Sequence, residues 1–192
     1  MSPFTHLFAT WVVADAAGLK GRERAVVAWC GVLPDLDGLG ALVDIATHGR
    51  TDWYTAYHHV LLHGLFGALL ISTLLLPWAR RLGVWLGCVL AIHGHLLCDL
   101  VGSRGPLGEI WPIYYLGPFS LTPGWSLSWQ WALNGWQNVL FTVLLMIWIF
   151  RQAIVAGESP VSLVSRPADR VFVSSLRARF LRPEARPLEK NL

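Results

Sequence analysis

The chain has 192 residues, 54% hydrophobic and only 14% charged, with 11 tryptophans and a formal net charge of +3. A soluble domain carries about a quarter charged residues, and residues 110–150 contain no Asp, Glu, Lys or Arg at all, which argues against a water-soluble globule. The basic excess lies beside apolar segments rather than within a soluble aromatic platform. That placement points to membrane orientation and away from nucleic acid.

Five apolar segments read as helices, in chain order roughly 5–19, 24–33, 60–76, 82–101 and a fifth within 127–150. A spanning helix needs about 20 residues, so the last three suit a bilayer best. The first carries Asp15, which is expected to pair with Arg22 or Arg24, and the second stops at Pro34. No cleavable signal peptide is expected, because Lys20, Arg22 and Arg24 follow the first apolar run instead of preceding it. Cys30, Cys88 and Cys98 form no CxxC pair and sit in apolar runs. They are read as small packing residues, neither a disulfide framework nor a thiolate zinc site.

The fold class is therefore all-α: a polytopic membrane bundle of about five helices. A membrane-embedded domain covers residues 1–156, and residues 157–192 form a basic tail, rich in Pro and Arg. In that tail Phe172, Leu176 and Phe180 recur at helical spacing beside Arg177 and Arg179. It is either disordered or an interfacial helix against anionic lipid. Tracing the segments back and forth gathers the basic residues on one face, the tail's Arg182, Arg186 and Lys190 included, and leaves only Arg50 and Arg104 on the other. By the positive-inside rule the basic face and the tail are cytoplasmic, in an inner (cytoplasmic) membrane. Tryptophans 53, 111, 125, 129, 131 and 136 fall toward the opposite face, as an interfacial belt does.

That opposite face collects the chemistry. All seven histidines precede residue 96, and each lies on or within a few turns of it, together with Asp35, Asp37, Asp44, Asp52, Asp99 and Glu109. Carboxylates beside a membrane are costly unless compensated. One to three divalent cations, Zn²⁺ above all, suit imidazole and carboxylate donors. His95 and Asp99 are four apart and share a helix face, and His59 and His63 have the same relation at the start of the third helix. Asp35 and Asp37 follow Pro34 at a helix end, and His6 opens the first helix. The candidate ligands are His6, Asp35, Asp37, His58 or His59, His63, His95 and Asp99. Asp37 is also the first candidate for general base, with Glu109 in reserve. His93 lies about 200° around an ideal helix from His95, and His48 sits in a polar loop. Neither is assigned to the site.

The motifs Thr5-His6, Leu33-Pro34-Asp35-Leu36-Asp37, His58-His59-Val60-Leu61-Leu62-His63 and His95-Leu96-Leu97-Cys98-Asp99, followed by Gly105 and Trp111-Pro112, resemble those of the YdjM-like membrane-bound metal-dependent hydrolases. The resemblance covers residues 5–150. It implies His58 and His63 as ligands in the third motif, whereas helical spacing favours His59 with His63, and the choice stays open. The third motif departs from the family's common His-Arg and Thr-His-Ser pattern. A more distant similarity, to the all-helical zinc-dependent phospholipase C and nuclease group, implies phosphoester hydrolysis.

Together these readings give an expected function of metal-dependent hydrolysis of a phosphoester or lipid-linked substrate at the membrane surface. Two rivals carry different signatures. A metal- or proton-coupled transporter places its polar groups near the bilayer midplane. A membrane protein with a structural metal closes its site to water.

Overall fold

The computed structural model describes residues 1–105 and 107–181. The tail residues Arg182, Arg186 and Lys190 lie outside the described residues. Among the described residues are eight α-helices: α1 (Pro3–Ala16), α2 (Gly21–Cys30), α3 (Gly40–Ala46), α4 (Trp53–Tyr57), α5 (Leu65–Leu74), α6 (Leu82–Gly102), α7 (Trp136–Val155) and α8 (Arg166–Phe180). A 3-10 helix, Leu33–Leu39, joins α2 to α3. No strand occurs among the described residues, only two isolated bridges, Arg104 with Ala132 and Ile113 with Trp125. Each of the five apolar segments thus contains a helix.

Local chemistry sets the boundaries. Ser2 caps α1, its hydroxyl accepting from the Thr5 N–H at 3.2 Å, with proline in the first turn. The third apolar segment becomes helical only at Leu65, five residues later than its hydropathy suggests. Residues 58–64 instead wrap into a loop that carries three histidines. His59 takes φ +66° there, a left-handed conformation uncommon for a residue other than glycine. Leu62 donates its N–H to Asp37, and Leu65 donates to the Tyr115 carbonyl. Helix propensity has yielded to the demands of polar groups.

α6 and α7 are long and apolar enough to cross a membrane. A third span arises if α2 and its continuation through residues 33–46, bent by 44°, count as one. α5 has ten residues, roughly 15 Å at 1.5 Å per residue, and is too short to span alone. The chain divides into two compact units, Met1–Leu145 and Met146–Leu192.

In the first unit α1, α2, α5 and α6 enclose a core built from Ala14, Val27, Cys30, Ala68, Cys88 and Ile92. Cys30 and Cys88 are fully buried within it. Small residues permit this close approach. A Cβ on Gly31 would fall 2.1 Å from the Thr10 side chain. Asp15 pairs with Arg24 between α1 and α2.

The long connection from α6 to α7 is tied down by Gln130. Its buried amide donates to the carbonyls of Asp99 and Leu100 at 3.0 and 3.2 Å and to that of Trp111 at 3.3 Å. This satisfies open carbonyls at the end of α6 and fixes Trp111 beside the histidine loop.

The second unit contains the end of α7 and α8. Ser165 caps α8. Arg177 donates to the Ile154 and Val155 carbonyls at 2.8 and 3.2 Å, a cationic cap on the C-terminus of α7.

Candidate metal centre

Four segments meet at one end of the first unit: the start of α1, the 3-10 helix, the 58–64 loop and the last third of α6. They bring together His6, Asp35, His63, His95 and Asp99, with Asp37, His58 and His59 around them. In the 3-10 helix, at three residues per turn, Asp35 and Asp37 point about 120° apart and serve different partners. Asp35 Oδ1 lies 3.6 Å from His95 Nε2 and 3.8 Å from His63 Nε2. Asp37 turns the other way and accepts from His58 Nδ1 at 2.8 Å, His63 Nδ1 at 2.9 Å and the Leu62 N–H at 3.1 Å.

These contacts decide which imidazole nitrogens face the centre. A carbonyl can only accept, so His95, whose Nδ1 lies 2.8 Å from the Gly31 carbonyl, carries its proton on Nδ1. His63 likewise donates from Nδ1 to the Asp37 carboxylate. Both therefore turn Nε2 inward, and these two nitrogens stand 3.0 Å apart. Burial opposes charge on His63, but its bonds to Asp35, Asp37 and Asp99 outweigh it and raise the ring well above the ordinary imidazole range, so a proton on His63 Nε2 bridges the two rings, at a place a metal cation could take instead.

Asp99 makes the same point. Its Oδ2 approaches His95 Nε2 at 3.0 Å, His63 Nε2 at 3.5 Å and His59 Nε2 at 3.9 Å. It nevertheless has no hydrogen-bond partner, and neither do buried Asp35 Oδ2, His6 Nδ1 and His59 Nδ1. Its other oxygen meets His6 Nε2 at 3.1 Å and the α-amino group of Met1.

The donor set fits a divalent ion. Four ligands placed tetrahedrally at 2.0–2.1 Å from zinc lie about 3.3 Å from one another, and the inward-facing pairs here lie between 3.0 and 3.8 Å apart. One donor each from His6, Asp35, His95 and Asp99 falls within 4.8 Å of the others, and His58, His59 and His63 form a second such group. Burial pushes the His59 imidazole down to about 2, aided by neighbouring His63, and so keeps it neutral. Neutral imidazole is the form that binds metal.

The cluster has two approaches. A cleft of 390 Å³, lined by His58, His59, Glu109 and Trp111 among others, opens on the loop side. Trp111 packs edge-on against the rings of His58 and His59, with centroids 5.7 and 5.4 Å away. Tyr54 stacks on His58 at 4.7 Å, and its hydroxyl is held in the neutral form by burial and by the charges of Asp35, Asp99 and Asp37. The second approach is an apolar groove of 640 Å³ between α1 and α6, with His6 and His95 in its wall.

The YdjM inner membrane protein family matches residues 1–166. The chain belongs to this family. Neither a curated protein nor a solved structure matches it. The YdjM match takes in every residue of the cluster and ends at the start of α8.

Other candidates named from the sequence lie elsewhere. Glu109 lines the cleft, but its carboxylate accepts from the Leu107 N–H at 3.1 Å. Asp44 binds the N–H groups of Trp53 and Tyr54, both at 2.8 Å, at the start of α4. His48 is exposed in the turn after α3. His93 bonds the Val89 carbonyl at 2.8 Å and the Tyr115 hydroxyl at 3.0 Å, holding the long loop to α6. Sequence reasoning missed the Gly31 carbonyl and the stacked Tyr54. Neither belongs to a ligand motif, and a backbone carbonyl carries no residue-type signal.

Proposed function

We propose that this protein is a membrane-bound metal-dependent hydrolase acting on phosphoesters, lipid-linked ones foremost. The observation that carries the reading is Asp99 Oδ2, buried, surrounded by three imidazole nitrogens and hydrogen-bonded to none of them. His6, Asp35, His63, His95 and Asp99 would hold one or more Zn²⁺-like ions, with His59 beside them. Such an ion, when bound, would lower the pKa of water from 15.7 toward about 7 and polarise the scissile group.

The residues divide the remaining work. Asp37 fixes His58 and His63 through their Nδ1 atoms and its carboxylate is shut off from solvent, so its task is positioning. His58 is the proton carrier this arrangement favours. It lines the cleft, its Nδ1 is held by Asp37, and its Nε2 is turned away from that carboxylate. Water adds to phosphorus, the ester P–O bond breaks, and the proton passes through His58 to the departing alkoxide. Trp111 walls the cleft and Tyr54 stacks on His58, and both limit bulk water around that ring. The short loops carry their basic residues at the other end of the helices, so the cleft is assigned to the non-cytoplasmic face.

The test is metal removal and return. Purified protein dialysed against a chelator should lose bound zinc by elemental analysis and lose hydrolysis of a phosphate ester such as bis(p-nitrophenyl) phosphate. Zinc should restore both. An Asp99→Ala protein that retains metal and full turnover would sink the proposal.

A further inference from the structure

The second unit gathers positive charge at the end of a membrane span. α7 has 20 residues, about 30 Å at 1.5 Å per residue, and the hydrocarbon of a bilayer is about 30 Å thick. Its last turns, from Phe150 to Val155, therefore lie at the hydrocarbon edge, and α8 is joined to them there. The ring centroids of Phe172 and Phe150 lie 5.9 Å apart. Arg177 caps the Ile154 and Val155 carbonyls. Leu176 and Phe180 line a groove with Phe150, Arg151, Ile154 and Val155. These contacts set α8 at the level where acyl chains give way to headgroups.

The side chains of α8 are sorted for that level. On an ideal helix Phe172, Val173, Leu176 and Phe180 fall within about 100° of one another. Arg166 and Arg170 border this apolar arc on one side and Arg179 on the other. All three are exposed, as is Arg151 on α7, and none of the four forms an ion pair among the described residues. The one acid of α8, Asp169, is buried and accepts from the Ser159 N–H at 3.1 Å and from its hydroxyl. Every exposed charge on α8 is thus positive. Val164, Phe180 and Leu181 beside them are 83, 63 and 50% exposed. An acidic soluble partner would answer the guanidiniums but not apolar side chains at the hydrocarbon edge, whereas an anionic phospholipid answers both.

We infer that α8 and the end of α7 form a binding site for anionic phospholipid, phosphates meeting the guanidiniums of Arg151, Arg166, Arg170 and Arg179 while the upper acyl chains cover Phe180 and Leu181. A guanidinium presents paired planar donors that match a phosphate. Its aliphatic stem lies along apolar surface while the charged head stays in the polar layer. Arginines along both edges of an apolar arc hold a helix flat in the interface. The site shares no residue with the metal centre and stands apart from the hydrolase reading.

The experiment uses full-length protein in phosphatidylcholine vesicles, with bimane attached at Val164→Cys or Leu181→Cys, on either side of α8. Phosphatidylglycerol or phosphatidylcholine brominated in the upper chain is included at equal mole fraction in both leaflets, so orientation does not matter. Quenching, corrected for unsubstituted protein, gives their relative affinity at the probe. Val139→Cys, 57% exposed at the opposite end of α7, is the reference. Phosphatidylglycerol should be preferred at Val164 and Leu181 by about fivefold for each arginine engaged, the worth of one basic residue near an anionic surface. At Val139 the two lipids should quench alike. Replacing Arg166, Arg170 and Arg179 together by Gln, itself a good helix former, should bring the preference close to one. Replacing the same three by Lys should keep most of it. Equal quenching by the two lipids in the unvaried α8, or a preference unmoved by the Gln replacements, overturns the site. Quenching by neither lipid places α8 in water, leaves its arginines to an acidic soluble partner, and overturns the site as well.

Discussion

Both oxygens of Asp37 are engaged by donors outside the inward-facing set, two from histidine rings and one from backbone. A carboxylate so placed orients ligands, and losing such a partner commonly weakens metal affinity 10–100-fold, as an order of magnitude. Asp37→Asn should therefore bind zinc that much less tightly in competition with a chromogenic chelator, because its amide presents a donor to an imidazole N–H. Undiminished affinity would return Asp37 to the status of a turn residue. His59 supports a second expectation at this scale. In metal-stripped protein its pKa near 2 lies below the unfolded value of about 6.5. The unfolded chain thus binds more protons between those limits, and stability falls as pH drops below 6.5. His59→Gln should flatten that acid limb in thermal melts recorded from pH 7 to pH 4.

Gly64 governs where α5 begins. A Cβ there would approach the carbonyls of Tyr115 and Tyr114 to 2.6 and 2.9 Å, so Gly64→Ala should cost about 1–3 kcal/mol by overpacking. Because His63 is the preceding residue, the same variant should lose zinc along with its lowered melting temperature. A variant of unchanged stability would show that the loop shifts freely. The 58–64 loop also marks how far the sequence could be read. Apolar runs located α1, α2, α5, α6 and α7, since hydropathy is a local property. The fit of His95 with Asp99 followed from helical spacing on a long helix. Spacing misled at His59 and His63, where the helix starts later and the φ of +66° at His59 removes any helical relation. The different tasks of Asp35 and Asp37 were equally hidden, because they depend on a 3-10 turn and on a loop 21 to 26 residues away.

At the scale of the molecule, the distribution of basic residues makes a claim about orientation. Arg50 and Arg80 are both exposed, Arg50 in the loop after α3 and Arg80 in the turn before α6. With Arg50 on the site side and Arg80 on the opposite side, a membrane-impermeant maleimide should label Arg50→Cys in intact spheroplasts. Arg80→Cys should react only after permeabilisation. The native cysteines are buried or half-buried and give a low background. The reverse pattern would place the centre in the cytoplasm. Family membership and two spanning helices establish membrane residence, and composition alone had already pointed to it.

His6 and Asp99 meet across 93 residues of chain, and the segments between them supply every other donor of the cluster. In a chain inserted from its N-terminus, the carboxylates Asp35 and Asp37 are made before the helix carrying His95 and Asp99. Until that helix arrives, no ion can be held by the full set. On the proposed metal reading, uptake of the ion would report completed insertion, since a chain stopped before α6 lacks His95 and Asp99.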